Sequence, residues 1–167
     1  MFHKMKGVGV CPARPTYLQI LTGLLGGVAG IGAIAYLTQI AGVPLLMAPF
    51  GATCVLLFAA PAAPLAQPRN VIGGHLISAL VGMVILHLFG TGLWQMAVGV
   101  GVAIALMQLL RAVHPPAGAN PLVVLTAGVE DWSFLITPVL VGSVILVLIA
   151  LFINNVGTEK RWPHYWI

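Results

Sequence analysis

The sequence predicts an all-α integral membrane protein of six membrane segments, laid out as two inverted repeats of three, and three observations carry that reading. Hydrophobic residues fill 60% of the 167 positions and charged residues only 6%, against about 25% charged in an ordinary soluble domain. Seven basic and three acidic residues cannot coat a globule of this size with a water-soluble surface, so lipid must solvate the chain. Apolar runs recur along its whole length. The second and fifth of these runs are short, broken by proline and alike in sequence.

The runs fall at Tyr17–Ile40, Pro44–Ala60, Val71–Phe89, Gly92–Leu110, about Ala117–Val129 and Phe134–Ile153. A helix needs about 20 residues to cross about 30 Å of hydrocarbon, and four runs meet or approach that length. The first is too long for the roughly 7–15-residue core of a secretory signal. With no cleavage site or transit-peptide composition beside it, a bacterial plasma (inner) membrane is the expected address. A single transmembrane domain, 1–167, is expected, with repeat one over about 17–89 and repeat two over about 92–153.

Charge placement argues for six crossings. With the N-terminus inside, Lys4, Lys6, Arg14, Arg69, Arg111, Lys160 and Arg161 all fall on the cytoplasmic side, and Glu130 and Asp131 fall outside. This is the positive-inside pattern, and it leaves both termini cytoplasmic. Were the two short segments re-entrant, Arg69 and Arg111 would lie outside. Trp162, Tyr165 and Trp166 then form an aromatic anchor at the inner interface. The net charge of +4 is ordinary for such a protein and points to no nucleic acid. Cys11, Cys54 and the histidines show no metal-site spacing, so neither metal nor cofactor is expected.

The two short runs carry the repeat. Pro49-Phe50-Gly51-Ala52-Thr53 begins 67 positions before Pro116-Ala117-Gly118-Ala119-Asn120, and Thr53 stands opposite Asn120. Each is the middle segment of three, so the second repeat is inserted upside down, as in many secondary transporters. His114-Pro115-Pro116-Ala117-Gly118 cannot start a helix and should run extended to the bilayer middle. Asn120 is a preferred cap type, and Pro121 suits a first helical position. Thr53 is expected to cap a matching half-helix from the other side. Two half-helix N-termini, each with unpaired N–H groups and a positive dipole end, would then form an anion site. Its expected lining is Gly51, Ala52, Thr53, His114, Pro115, Pro116, Gly118, Ala119 and Asn120. The plain alternative is that these breaks are loops between spans. Against it, extended backbone at membrane depth must line protein or a watery cavity.

Two readings stand for the remaining polar groups. Arg69 and Arg111, with Asn70, either anchor the topology by snorkelling or form an electropositive cytoplasmic entrance. His75, in the third span, is either a neutral histidine satisfied by a backbone carbonyl or a proton carrier. No carboxylate lies within a span, so coupled protons must ride on histidine. Gly74, Ser78 and Gly82, four apart, let backbones approach closely; a homo-oligomer stays open. Catalysis fits poorly, because Glu130, Asp131 and Glu159 lie outside the spans.

The motif Arg111-Ala112-Val113-His114-Pro115-Pro116-Ala117-Gly118-Ala119-Asn120 resembles the HPP family of integral membrane proteins. The resemblance extends to Ala48-Pro49-Phe50-Gly51-Ala52-Thr53 and to Pro64 through His75, in the same order. The family is usually described with four spans, two fewer than the charge pattern here implies. Members in chloroplasts and cyanobacteria are associated with nitrite transport. The resemblance therefore implies a transporter for nitrite or a similar small inorganic anion. A channel for a small neutral solute, and a structural or regulatory membrane subunit, are the alternatives.

Overall fold

The computed structural model describes residues 9–156 and 161–167. Lys4, Lys6, Glu159 and Lys160 lie outside the described residues. Six helices follow in order: α1 (Tyr17–Ala41), α2 (Ala48–Ala59), α3 (Pro68–Phe89), α4 (Leu93–Leu109), α5 (Asn120–Ala127) and α6 (Val141–Asn155), with no strand among the described residues. Short turns complete the chain: 3-10 turns at Pro64–Ala66 and Pro115–Ala119, and a kinked lead-in to α6 over Trp132–Leu140, where Thr137 is extended.

Local chemistry explains most boundaries. Thr16 caps α1 in a reciprocal capping box with Gln19, and Gly42, left-handed at φ 68, stops it. Prolines stand in the first turns of α2, α3 and α5, where a missing N–H costs nothing. The α4 end is a Schellman turn: Ala112 N–H donates to Met107 O at 2.8 Å and Arg111 N–H to Gln108 O at 3.1 Å. Arg111 holds the left-handed position, φ 56, that glycine usually takes.

Two expected caps are corrected. α2 starts after Met47, which offers no side-chain cap, and Thr53 sits inside the helix with its hydroxyl 3.2 Å from Pro49 O. α5 follows Ala119; Asn120 is already helical, and its side chain is spent on another helix. Residue type favoured both as caps, but buried partners on α3 and the His-Pro-Pro loop took precedence.

Among the described residues, three helical stretches are long and apolar enough to cross a membrane: Tyr17–Ala41, Pro68–Phe89 and the kinked Trp132–Asn155. α2 and α4 are apolar but shorter. At about 1.5 Å per residue, the 12 residues of α2 reach about 18 Å and the 8 of α5 about 12 Å. The middle segments are therefore short helices that rely on non-helical chain for the rest of any crossing.

The charges separate by end. Arg69 bonds to the carbonyls of Leu110 and Arg111, while Arg14 and Arg161 border one cavity with the α2–α3 turn, residues 60–63. All four described Lys and Arg residues thus gather at one end of the bundle. At the other end His87 stacks on Trp132 at 4.8 Å, next to Glu130 and Asp131. Asp131 accepts from Ser133 N–H at 2.8 Å, which holds its carboxyl below the ordinary range.

A larger apolar cluster joins α1, α2, α3 and α6 around Ile34, Phe50, Leu57, Val71 and Leu146. A smaller one joins α3, α4 and α5 around Met83, Ala103, Val124 and Leu125. α3 belongs to both.

Candidate functional site

The polar centre of the bundle is built on one face of α3. His75 and Ser78, one turn apart, face α2 on one side and the His-Pro-Pro loop on the other. His75, Ser78, Thr53, His114 and Asn120 are all 0% exposed, an expensive arrangement within apolar helices unless each group is paired.

The small residues of α3 make it possible. A Cβ on Gly74 would stand 2.6 Å from His114 Cβ and 3.0 Å from Ala112 O; one on Gly82 would stand 2.9 Å from Pro121 Cα. Between them the Ser78 hydroxyl donates to Ala117 O. The expected stripe Gly74, Ser78 and Gly82 is thus the seat of the whole loop and of α5. The prolines of the loop suit this depth as well, since Pro115 and Pro116 bring no N–H that would need a partner. The loop's first turn closes through Ala117 N–H and His114 O at 3.0 Å.

Hydrogen-bond logic then orders the cluster. His114 Nδ1 lies 2.8 Å from Leu65 O, a pure acceptor, so Nδ1 carries a proton. Asn120 Nδ2 lies 2.9 Å from His75 O and 3.1 Å from His75 Nδ1. The carbonyl fixes which end of the amide faces α3, so His75 Nδ1 accepts and His75 Nε2 carries the proton. His75 Nε2 is 2.8 Å from Thr53 Oγ1, which is 3.0 Å from His114 Nε2. With both rings neutral, one direction satisfies every bond: Asn120 donates to His75, His75 to Thr53, Thr53 to His114, and His114 to Leu65 O. The rings stand edge to face with centroids 5.1 Å apart, and Phe50 closes the far side of His75 at the same distance. One group is left over: Asn120 Oδ1 is buried without a partner.

Of the residues expected to line the site, Thr53, His114 and Asn120 meet here, and His75 joins them as the hub. Pro116 is buried behind them, Pro115 is exposed, and Gly118 and Ala119 are half-buried. Gly51 and Ala52 are exposed on α2. A Cβ at Gly51 or Gly118 would meet nothing within 4 Å, so neither glycine is required for close packing within the chain. The helix starts also have fewer free N–H groups than expected. Phe50 N–H goes to Met47 O and Asn120 N–H to Ala117 O, and Pro49 and Pro121 have none. The meeting point is made of side chains.

The expected entrance residues do structural work too. Arg69 places Nε 3.2 Å from Arg111 O and Nη2 3.0 Å from Leu110 O, putting positive charge on the carbonyl end of α4. Asn70 donates to Val113 O at 2.8 Å, next to His114, and its Oδ1 lies 2.9 Å from the Tyr165 hydroxyl. The Arg111 side chain is exposed. Sequence reasoning missed the carbonyls of Leu65 and Pro49, which no side-chain pattern marks. It also missed Phe50 as the wall of His75.

Fold and cluster together define an integral membrane protein with several apolar helices around an internal polar site. The chain belongs to the HPP transmembrane family: the pattern of that family's transmembrane region matches residues 12–163. Two transmembrane proteins of Dictyostelium discoideum are similar to it. One is 32% identical over 176 residues, covering 99% of this chain and 57% of that protein. The other is 35% identical over 159 residues, covering 90% and 54%. The chain thus spans just over half the length of these curated relatives. No solved structure matches it.

Proposed function

We propose that the chain is a transporter for a small monovalent inorganic anion, with nitrite as the substrate that the family resemblance implies. The observation that carries this reading is the convergence of the two matched segments: Thr53 and Asn120 reach opposite nitrogens of His75. The directions of the two segments agree with an inverted repeat. α2 runs toward the basic end of the bundle, and the loop with α5 runs away from it. Six crossings, with both termini on the cytoplasmic face of a bacterial inner membrane, complete the proposal, and the clustering of Arg14, Arg69, Arg111 and Arg161 at one end supports it. The chain acts as a carrier and not as an enzyme.

Purified protein in liposomes tests the reading by uptake of nitrite, nitrate, formate and chloride. Nitrite uptake should exceed that of protein-free vesicles, and Asn120→Leu should lower it by about tenfold or more, as expected for a lost buried polar contact. Uptake of no anion above the protein-free rate would overturn it. A second reading, a channel for a small neutral solute, draws on the unpartnered Asn120 Oδ1, an acceptor suited to a donor such as water. Fast osmotic shrinkage of the same vesicles, without anion uptake, is its signature.

A further inference from the structure

We infer that the anion travels with one proton, held on the His114–Thr53–His75 chain, with the Thr53 hydroxyl as the switch. The inference rests on the transporter reading and names its coupling ion. In the neutral cluster every N–H and O–H group is already donated inward: Asn120 to His75, His75 to Thr53, Thr53 to His114, His114 to Leu65 O. Nothing is left to hold an anion, and no lysine or arginine among the described residues touches the cluster. A positive charge must arrive with the substrate.

The geometry gives that charge a place. Thr53 Oγ1 has a third neighbour, Pro49 O, at 3.2 Å. A proton entering at His114 bonds to Nε2 and makes the ring an imidazolium. The Thr53 hydroxyl hydrogen then turns from His114 to Pro49 O, and Oγ1 accepts from both Nε2–H groups. A hydroxyl donates once and accepts twice, so both states leave the chain fully paired and differ by one proton and one rotation. Release reverses the steps. Only His75 and His114 can titrate here. α2 presents Pro49 O, Phe50 and Thr53, α3 adds Ser78, the Pro64–Ala66 turn offers Leu65 O, the loop Ala117 O, and α5 Asn120. α6 meets the cluster through Gly142 against Phe50. With ring centroids 5.1 Å apart, two imidazolium charges would repel strongly, which sets the count at one.

One proton per monovalent anion makes transport electroneutral. Liposomes holding a pH-sensitive dye report proton entry while a potassium gradient with valinomycin sets the membrane potential. Protein-free vesicles supply the background, because nitrous acid crosses lipid unaided. The expected result is nitrite uptake that rises on external acidification, moves protons inward and ignores the potential. Thr53→Val should lower that uptake by about tenfold or more, the scale of losing a hydrogen bond to a charged group. Thr53→Ser, which keeps the rotating hydroxyl, should restore it. Uptake that follows the potential without proton entry, or a Thr53→Val protein that stays proton-coupled at the native rate, would overturn the switch and leave the transporter standing. No uptake above background would overturn both.

Discussion

At the scale of single residues, the glycines separate two roles that composition alone merges. Gly74 sits where the loop backbone presses hardest on α3, so even one methyl must displace His114 or Ala112. Overpacking of this kind costs roughly 1–3 kcal/mol. Gly74→Ala should lower thermal stability in detergent by that order, and it should depress uptake more than its stability loss explains, because the displaced residue is His114. Gly51→Ala makes the contrast, since its methyl meets no atom; its melting temperature should match the native protein's or exceed it, as alanine is the better helix former. Equal melting curves for the two variants would show that the α3–loop approach is looser than the structure has it. The five polar residues of the cluster are recognisable from sequence as residues, and less so as partners. Thr53 and Asn120 are cap types in Pro-broken runs, which suggests helix starts. Their preference is overridden because His75 lies between them, and a buried imidazole with two unmet nitrogens outbids two local caps. His75 and Ser78 share a face by their spacing alone, but the carbonyls of Leu65 and Pro49 become acceptors only through the fold.

Among the elements, the junction between α4 and the loop is the most informative. α4 ends on a left-handed residue that is arginine where glycine is usual, and Arg69 reaches across from α3 to its last carbonyls. The two arginines therefore differ, although both read from sequence as anchors or entrance charges. Arg111 holds an unfavourable backbone position and exposes its side chain, whereas Arg69 pins the helix end from which the loop departs. Arg111→Gly should raise stability by about 1 kcal/mol, through relief of the left-handed strain, while removing one positive charge. Arg69→Met should lower stability by about 1 kcal/mol, the combined scale of a helix-end charge and its hydrogen bonds. Melting curves for the pair check this directly, and a shift of the same sign in both would mean that charge, not backbone geometry, governs the junction. The elements themselves were readable where hydrophobicity alone decides. The first, third and fourth apolar runs match α1, α3 and α4 to within a few residues. The kinked start of α6 is the exception: the run reads as one span, although Thr137 stands before Pro138, a position that disfavours helical backbone.

For the whole molecule, topology reduces to which parts of the chain share an end. α2 and α5 are too short to span as helices, yet each reverses the direction of the chain. α2 begins at the end where α1 stops and delivers the chain to Arg69; the loop and α5 carry it from Arg111 to Glu130 and Asp131. A basic end and an acidic end result, and the proposed topology, following the positive-inside bias, puts the basic one on the cytoplasmic side. The protein carries its own reporter for this, since Cys11 is exposed near Arg14 at the basic end and Cys54 is buried in α2. With Cys54 changed to alanine, a membrane-impermeant maleimide should label Cys11 only from the cytoplasmic face. With both cysteines replaced and Asp131→Cys introduced, the same reagent should label only from the opposite face. Labelling of both positions from one face would place an even number of crossings between them, and the inverted repeat would have to be given up. Opposite faces would also fix the direction in which the histidine cluster opens. Its loop backs onto the Arg69 and Arg111 junction, so the His114 end of the chain would face the cytoplasm and the Asn120 end the opposite side.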